Sequence, residues 1–360
     1  MKIVQISAGR DRSVVLASDG MAHGWGGIKR LGATLPPGYP GDLCIASPTE
    51  IGHKRYAQPV PQALNPHHPV AALADGYIET LAVQRSGTVL SYQPVVSDQG
   101  AACAEIGGLP PAPRQVALTE TASFALYADG TVWSWGLRAH GQLGREAAAS
   151  LEGPAPITAL ASIAMLATGN GHVLALDTKG QVWTWGANAA GQLGTGGLAE
   201  NAVPTRLQLP ARIQRIAAGD THSFAIDGTG RLWGWGSNNF GQTGDLSAQY
   251  SSVPVRISTG FAVAQIDAGM YYTVATSTQG DVFAWGWNGM GQLAQKEVTF
   301  SAKPVRVKGL SRVTQLAAGV GHTLALNTEG VFAWGDNRAS ACGAFPSVAV
   351  QVTPHRVSFA

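Results

Sequence analysis

The sequence is short of charge: 13% of its 360 residues are Asp, Glu, Lys or Arg, and the formal balance is +2. Without a basic run, that balance excludes the electrostatic footprint of a protein that wraps or tracks nucleic acid. Cysteine is scarce as well. Cys44, Cys103 and Cys342 are odd in number and scattered without metal-ligand spacing, which fits a reducing cytosol. Cys44, His53, His67 and His68 lie close in sequence but match no compact zinc pattern, so no metal is expected. No stretch of about 18 apolar residues occurs, which excludes a membrane-spanning helix. The first structured motif begins at Ile3, leaving no room for a signal peptide, so a cytoplasmic protein is expected. Nucleophile elbow, phosphate-cradling glycine loop and dinucleotide fingerprint are all missing. The expectation leans away from an enzyme, and no cofactor is called for.

What the sequence does contain is a repeat. Five segments align almost without gaps: SFALYADGTVWSWG from Ser123, VLALDTKGQVWTWG from Val173, SFAIDGTGRLWGWG from Ser223, TVATSTQGDVFAWG from Thr273 and TLALNTEGVFAWG from Thr323. Their closing Trp-Gly pairs start at Trp135, Trp185, Trp235, Trp285 and Trp334, a period of fifty with one deletion at the end. Worn copies precede them, SVVLASDGMAHGWG from Ser13 and TLAVQRSGTVLSYQ from Thr80, which brings the count to seven. Prolines at Pro154, Pro204, Pro254, Pro304 and Pro354 keep the same spacing. Such regularity means one supersecondary unit, copied because each copy needs its neighbours to bury its apolar face.

One unit reads as four short strands. Ile213, Ile216 and Ala218 mark the first, ending at Gly219; HSFAI from His222 is the second. Gly228 to Gly230 make a turn, RLWGWG from Arg231 is the third, and a longer loop leads to Pro254–Ile257, the fourth. Abundant glycine (46) and proline (20) suit short strands and tight turns rather than helix bundles. Four antiparallel strands taken seven times is an all-β, seven-bladed β-propeller, read as a single domain over 1–360. Its repeats run approximately 1–64, 65–111, 112–158, 159–208, 209–258, 259–308 and 309–360, with loop insertions at about 27–58 and 94–112.

Most eye-catching residues fall in copied positions. Tryptophans two apart, such as Trp233 and Trp235, point to one face of their strand and are read as packing between blades. Only Trp287 of the ten tryptophans lies outside the pattern. His172, His222 and His322 share one offset, which favours a structural role, since catalysis gives no reason to copy a histidine once per blade. Arg12 and Glu79 take that position in the first two copies; they pair across blades or line a polar pocket, as a structural ion pair rather than an acid–base couple.

The repeated phrase AAGDTHSFAI…GRLWGWGSNNFGQTG closely resembles the regulator of chromosome condensation repeat, strongly from 114 to 338 and weakly over the first two copies. The resemblance implies a seven-bladed propeller whose ring is closed by pairing strands from the two termini. It does not imply one activity. Members of the family act as guanine-nucleotide exchange factors, as an ultraviolet-B photoreceptor, as inhibitors of β-lactamase and as interaction modules. The photoreceptor's Gly-Trp-Arg-His-Thr signature is absent, and so is the basic tail of chromatin-binding members.

Topology points to a face. Chain direction reverses at each strand, so loops after strands one and three emerge together, and both insertions follow strand three. On that face the framework repeats while the loops vary, and loops carry function more often than framework does. After strand one come Arg10, Asp11 and Arg12, then Tyr77 and Glu79, Glu120, Asp220, and Met270, Tyr271 and Tyr272. After strand three come Arg138 and His140, Phe240, Trp287 and Met290, and Arg338. Aromatic, Met and Arg side chains are enriched in protein interfaces. The expected function is therefore a non-enzymatic protein-interaction propeller, an inhibitor or effector that binds a partner protein through this face. Nucleic acid and membrane are not expected partners. Two alternatives stay open: an exchange factor for a small GTPase, and an enzyme or small-molecule binder with its pocket at the axial mouth.

Overall fold

A computed structural model describes the chain apart from residues 31–43, 46–53, 65–68, 98–99, 147–150, 345–347 and 360. Among the described residues all regular structure is strand, arranged as seven blades of four antiparallel strands around an axis. Blade five shows why the repeat folds this way. Its strands are Ile213–Ala218, His222–Asp227, Leu232–Ser237 and Tyr250–Ile257. The second strand is buried along its whole length because both of its faces meet other blades. Its alternation is therefore large against small, not apolar against polar. Phe224 and Ile226 pack toward Trp285 of blade six, while Ala225 leaves room for Trp235 on the side of blade four. The hairpin turn is set by Asp227, whose Oδ1 accepts the Thr229 and Arg231 N–H groups at 2.8 and 3.1 Å.

The repeated tryptophans are the interblade layer. Trp25, Trp185, Trp235, Trp285 and Trp334 are fully buried. Burying one such ring contributes about 4–6 kcal/mol, from roughly 150–250 Å² at 25 cal/mol per Å². Each indole also donates to a carbonyl of the preceding blade's loop: Trp235 Nε1 to Gln192 O at 2.8 Å, Trp185 to Gln142 O at 2.8 Å, and Trp285 to Gln242 O at 2.9 Å. That couples the two halves of the motif, the Trp-Gly of one copy and the Gly-Gln of the copy before. Gly194 illustrates the coupling, since it holds φ +72° and an added Cβ would lie 2.9 Å from the Trp235 ring. The first tryptophan of each pair, such as Trp233, shares the face but is only partly buried.

Beneath the loops runs a second ring of contacts between neighbouring second strands. Ser223 Oγ donates to Gln192 O at 2.8 Å, so the proton in its 2.8 Å contact with His172 belongs to His172 Nε2. His222 meets Thr273 at 3.3 Å and His322 meets Ser13 at 2.9 Å in the same sense, because those hydroxyls donate to Gln242 O and Ala341 O. In blade six Tyr272 takes the histidine position, and Thr323 Oγ1 donates to its hydroxyl at 3.1 Å. Burial drives the imidazoles of His172 and His222 down to about 3 and that of His322 to about 4, so all three stay neutral. The structural role read from their common offset is the one they have.

The first two blades vary this ring with charge. Arg12 forms a buried ion pair with Asp75, and Thr80 Oγ1 donates to the same carboxylate at 2.5 Å. Glu79 reaches the next blade directly, accepting from Ser123 Oγ at 3.1 Å, and accepts from Ser91 Oγ of its own blade as well. The cross-blade ion pair expected of Arg12 exists, with Asp75 rather than Glu79 as its partner.

Two expectations need correction. The ring is not closed by exchanging terminal strands. Strand one, Ile3–Ala8, pairs within blade one, and the last strand, Val350–Arg356, pairs within blade seven. Each copy starts at a first strand and ends at a fourth, so every blade is complete, and the seam is sealed by side chains together with the backbone bond from Val320 N to Gly9 O. Trp25 Nε1 and Ser13 Oγ donate to Ala341 O at 2.9 and 2.7 Å, and Gln315 bridges to Val4 O and Ile6 N. The first insertion, read from sequence as a loop, also carries strand at its ends. The third strand of blade one runs on to Arg30, its fourth starts at Lys54, and Cys44–Ile45 pairs beside it. The third strand of blade two, Val89–Ser97, likewise runs on into the second insertion and pairs there with Gly100–Glu105. Extending both third strands lets their tips pair in parallel, Lys29 with Val95 and Arg30 with Val96, which joins blades one and two into one sheet. Most of 27–58 lies outside the described residues.

The fifty-spaced prolines fall in the fourth, outermost strand of their blades. Proline there removes an N–H from a free edge and blunts strand-on-strand association.

Candidate functional site

The first strands surround an axial channel of about 700 Å³. Toward the loop face, backbone bonds tie the strand-one loops together: Glu120 N to Asn170 O at 2.8 Å, Asn170 N to Asp220 O at 3.1 Å, Asp220 N to Gly269 O at 3.2 Å, Met270 N to Val320 O at 3.3 Å and Val320 N to Gly9 O at 3.2 Å. The loop of blade two does something else. Tyr77 reaches over the mouth and its hydroxyl donates to the carboxylate of Asp220 in blade five. Burial raises the Tyr77 hydroxyl and the Asp220 carboxyl from their ordinary values, the latter opposed by its hydrogen bonds from Tyr77 and Asn170. Lower in the channel Asp267 accepts from Ala268 N and Ala318 N, both at 2.9 Å, and burial lifts it to about 6.

The residues singled out from sequence separate into three groups. Arg12 and Tyr272 are buried in the interblade ring and are withdrawn from any partner surface; their side chains start at the second strand, which has no free face. Tyr77, Glu79 and Asp220 are engaged in contacts between blades, around or across the mouth. The remainder lie at the loop face. Arg10, Glu120, Arg138, His140 and Arg338 are exposed there, whereas Asp11, Phe240, Met270, Tyr271, Trp287 and Met290 are half-buried. His140 meets Glu200 at 3.1 Å, and Arg338 pairs with Asp336 at 2.6 Å. The structure brings three of the group together: Phe240, Tyr271 and Trp287 form a cluster with ring centroids 5.3 to 6.2 Å apart.

Sequence reasoning passed over Asp75, Asp267 and Phe300. The signal was in the repeat. Asp75 stands where other copies have Ala8, Ala218, Ala268 and Ala318, and Asp267 where they have Ser7, Ala167, Ala217 and Ala317. A carboxylate in a small residue's place inside a ring of packed strands needs a partner, and each has one. Phe300 sits opposite Trp287 across strands three and four.

Chemically, the face offers apolar and hydrogen-bonding contact. Among the described residues no group of three or more His, Cys, Asp or Glu side chains converges as a metal site. His53, His67 and His68 fall outside the described residues.

A sequence profile described as an RCC1-like domain matches residues 52–360. No curated protein matches the sequence. Among solved structures, yeast RCC1 (Prp20) bound to Kap60 is similar at 23% identity, with a TM-score of 0.75 over 84% of this chain and 78% of that one. Human WBSCR16 is similar at 23% identity and a TM-score of 0.74, covering 84% of this chain and 86% of its own. A structure of Prp20p from Saccharomyces cerevisiae, described with its binding to Gsp1p and histones, gives 19% identity and a TM-score of 0.73, covering 91% and 83%. At these identities the likeness concerns the fold.

Proposed function

The chain belongs to the RCC1-like family, and on that premise we propose that it is a non-enzymatic interaction propeller that binds a partner protein through the face of the strand-one and strand-three loops. One observation carries this reading. The copied tryptophans and histidines are consumed in interblade packing, while Phe240, Met270, Tyr271, Trp287 and Met290, which the repeat does not copy, lie half-buried among the strand-one and strand-three loops, with Arg10, Arg138 and Arg338 exposed there. Partly exposed aromatic clusters of this kind are typical of interface centres. Protein partners of the structural neighbours, Kap60 for yeast RCC1 and Gsp1p and histones for Prp20p, support protein binding as the general mode. The proposed location is the cytoplasm, with an inhibitor or effector role.

The test pairs two variants. Met270→Ala with Tyr271→Ala should lower recovery of the partner from the native host more than tenfold at unchanged melting temperature. Lys179→Ala with Arg212→Ala, on the opposite face, should leave it intact. The reverse result would remove the reading. An exchange factor remains the second reading, supported by the description of Prp20p with Gsp1p; it requires accelerated nucleotide release from a small GTPase, and no acceleration across a panel would end it. An axial pocket has less support, because Tyr77 spans the mouth.

A further inference from the structure

Where the loop face turns over into the outer rim between blades five and six, three clustered aromatic rings and Phe300 on the paired outer strand line a ridge. Phe240 and Tyr271 lie 5.3 Å apart, Phe240 and Trp287 6.2 Å, and Tyr271 and Trp287 6.1 Å, measured between ring centroids. Trp287 is directly opposite Phe300 in the pairing of strands three and four, so the two share a sheet face and the ridge continues onto the outermost strand. There Phe300 is 46% exposed, and Val298 beside it is 36% exposed.

The fold does not ask for this ridge. Fifty residues earlier, Phe240 corresponds to Ala190, Tyr271 to Thr221 and Trp287 to Ser237, while Phe300 corresponds to another exposed aromatic, Tyr250. Blade six already has its interblade tryptophan, the fully buried Trp285. Three departures from a small or polar pattern, made in two loops and at the end of a third strand, meet at one place beside Phe300.

We propose that the ridge is the docking site for an amphipathic helix of a partner protein, apolar along one side and acidic along its flanks; this rests on the loop-face reading above. The shape of the occupant follows from the edge beside the ridge. Pro304 has no N–H to offer, and the pairing of strands three and four shifts register between Ala284 and Gly286, so the outer edge of blade six is a poor template for an added strand. Recognition then falls to side chains, and an apolar helix face supplies them at i, i+3, i+4 and i+7. The charge follows from the rim. Exposed Lys296 and Lys303 stand four and three residues from Phe300 in sequence, against one nearby acid, Glu297. Arg306 is already paired with Asp281 at 2.7 Å.

A benzophenone side chain placed in the native host in place of Phe300, and separately in place of Glu120 at the axial mouth and Lys179 on the opposite face, tests the proposal. The Phe300 probe should cross-link one protein segment that mass spectrometry maps to an apolar helix flanked by Asp or Glu. Trp287→Ser should cut that adduct more than tenfold without changing the melting temperature. Lys296→Glu with Lys303→Glu should cut it similarly, and Lys296→Arg with Lys303→Arg should retain it. An adduct from the Glu120 probe without one from Phe300 would overturn the ridge while leaving the loop-face reading standing; adducts from Lys179 alone would overturn both. Cross-linking to a second copy of the chain, to lipid, to nucleic acid or to a segment without acidic flanks would overturn the proposal, as would no adduct at any position.

Discussion

Tyr77 of blade two hydrogen-bonds Asp220 of blade five, so a single side chain bridges the mouth of the axial channel. Its loop has left the backbone ring that links blades three through seven to blade one, and this contact stands in for it. The bond joins a part-buried hydroxyl to a part-buried carboxyl, so removing one partner leaves the other poorly solvated. Tyr77→Phe is expected to cost about 1–2 kcal/mol in urea denaturation, and a double-mutant cycle with Asp220→Asn should return a coupling of about 1–2 kcal/mol. Additive single effects would mean that the bond does not hold the mouth.

The Arg12–Asp75 pair makes a sharper prediction, because the repeat supplies its own control. Asp75→Ala leaves a buried guanidinium without its anion and should cost about 3–5 kcal/mol. Adding Arg12→His rebuilds the pattern of blade five, where His222 meets Thr273, with Thr80 now in the acceptor place. The double variant should recover most of the loss. Failure to recover would show that blades one and two differ from the others in more than this substitution.

The buried histidines set the response to acid. Their native values, about 3 for His172 and His222 and about 4 for His322, lie below the ordinary 6.5. The unfolded chain therefore takes up protons that the native chain refuses, and stability is full above pH 6.5 and is lost as pH falls toward 4. Each histidine contributes about 1.4 kcal/mol per pH unit in that window. His222→Tyr, copying the Tyr272 arrangement, should flatten the slope by about that amount while staying close to wild type at pH 7.5. An unchanged slope would place the acid sensitivity elsewhere.

Asp267 works in the opposite sense. Its native value of about 6 exceeds the ordinary 3.8, so the native chain holds a proton that the unfolded chain releases. The stability it contributes is present below pH 3.8 and lost as pH rises through 6. Asp267→Asn keeps a carbonyl oxygen for Ala318 N and removes the charge, and it should stabilise the protein by about 1–3 kcal/mol at pH 7.5. The gain should vanish at pH 4. A gain that persists there would point to packing rather than charge.

The sequence makes the propeller legible because every framework contact is copied. Trp235 to Gln192 and His222 to Thr273 recur at fixed offsets, so the repeat reports them even though the partners belong to different blades. Contacts made once leave no such trace. Nothing in the spacing of Tyr77 and Asp220, 143 residues apart, announces a bridge over the axis. The parallel pairing of Lys29 and Arg30 with Val95 and Val96 is equally singular, since it joins two insertions that share no pattern. Tyr272 misleads for the converse reason: beside Met270 and Tyr271 it looks like part of an aromatic loop, but it occupies the copied histidine position and is buried with it. The aromatic cluster itself was half legible. Phe240, Tyr271 and Trp287 stand out as uncopied residues, whereas Phe300 joins them only through the register of strands three and four.

The central claim is that the strand-one and strand-three loops form the partner-binding face. Amide hydrogen exchange of the complex isolated from the native host, set against the free protein, tests it most directly. The account predicts slowed exchange in the loops around Thr121, Tyr271 and Trp287, with no change in the hairpin turns Asp177–Gly180, Asp227–Gly230 and Ser277–Gly280 on the opposite face. Slowed exchange in those turns, with the loops of Thr121, Tyr271 and Trp287 unchanged, would contradict it.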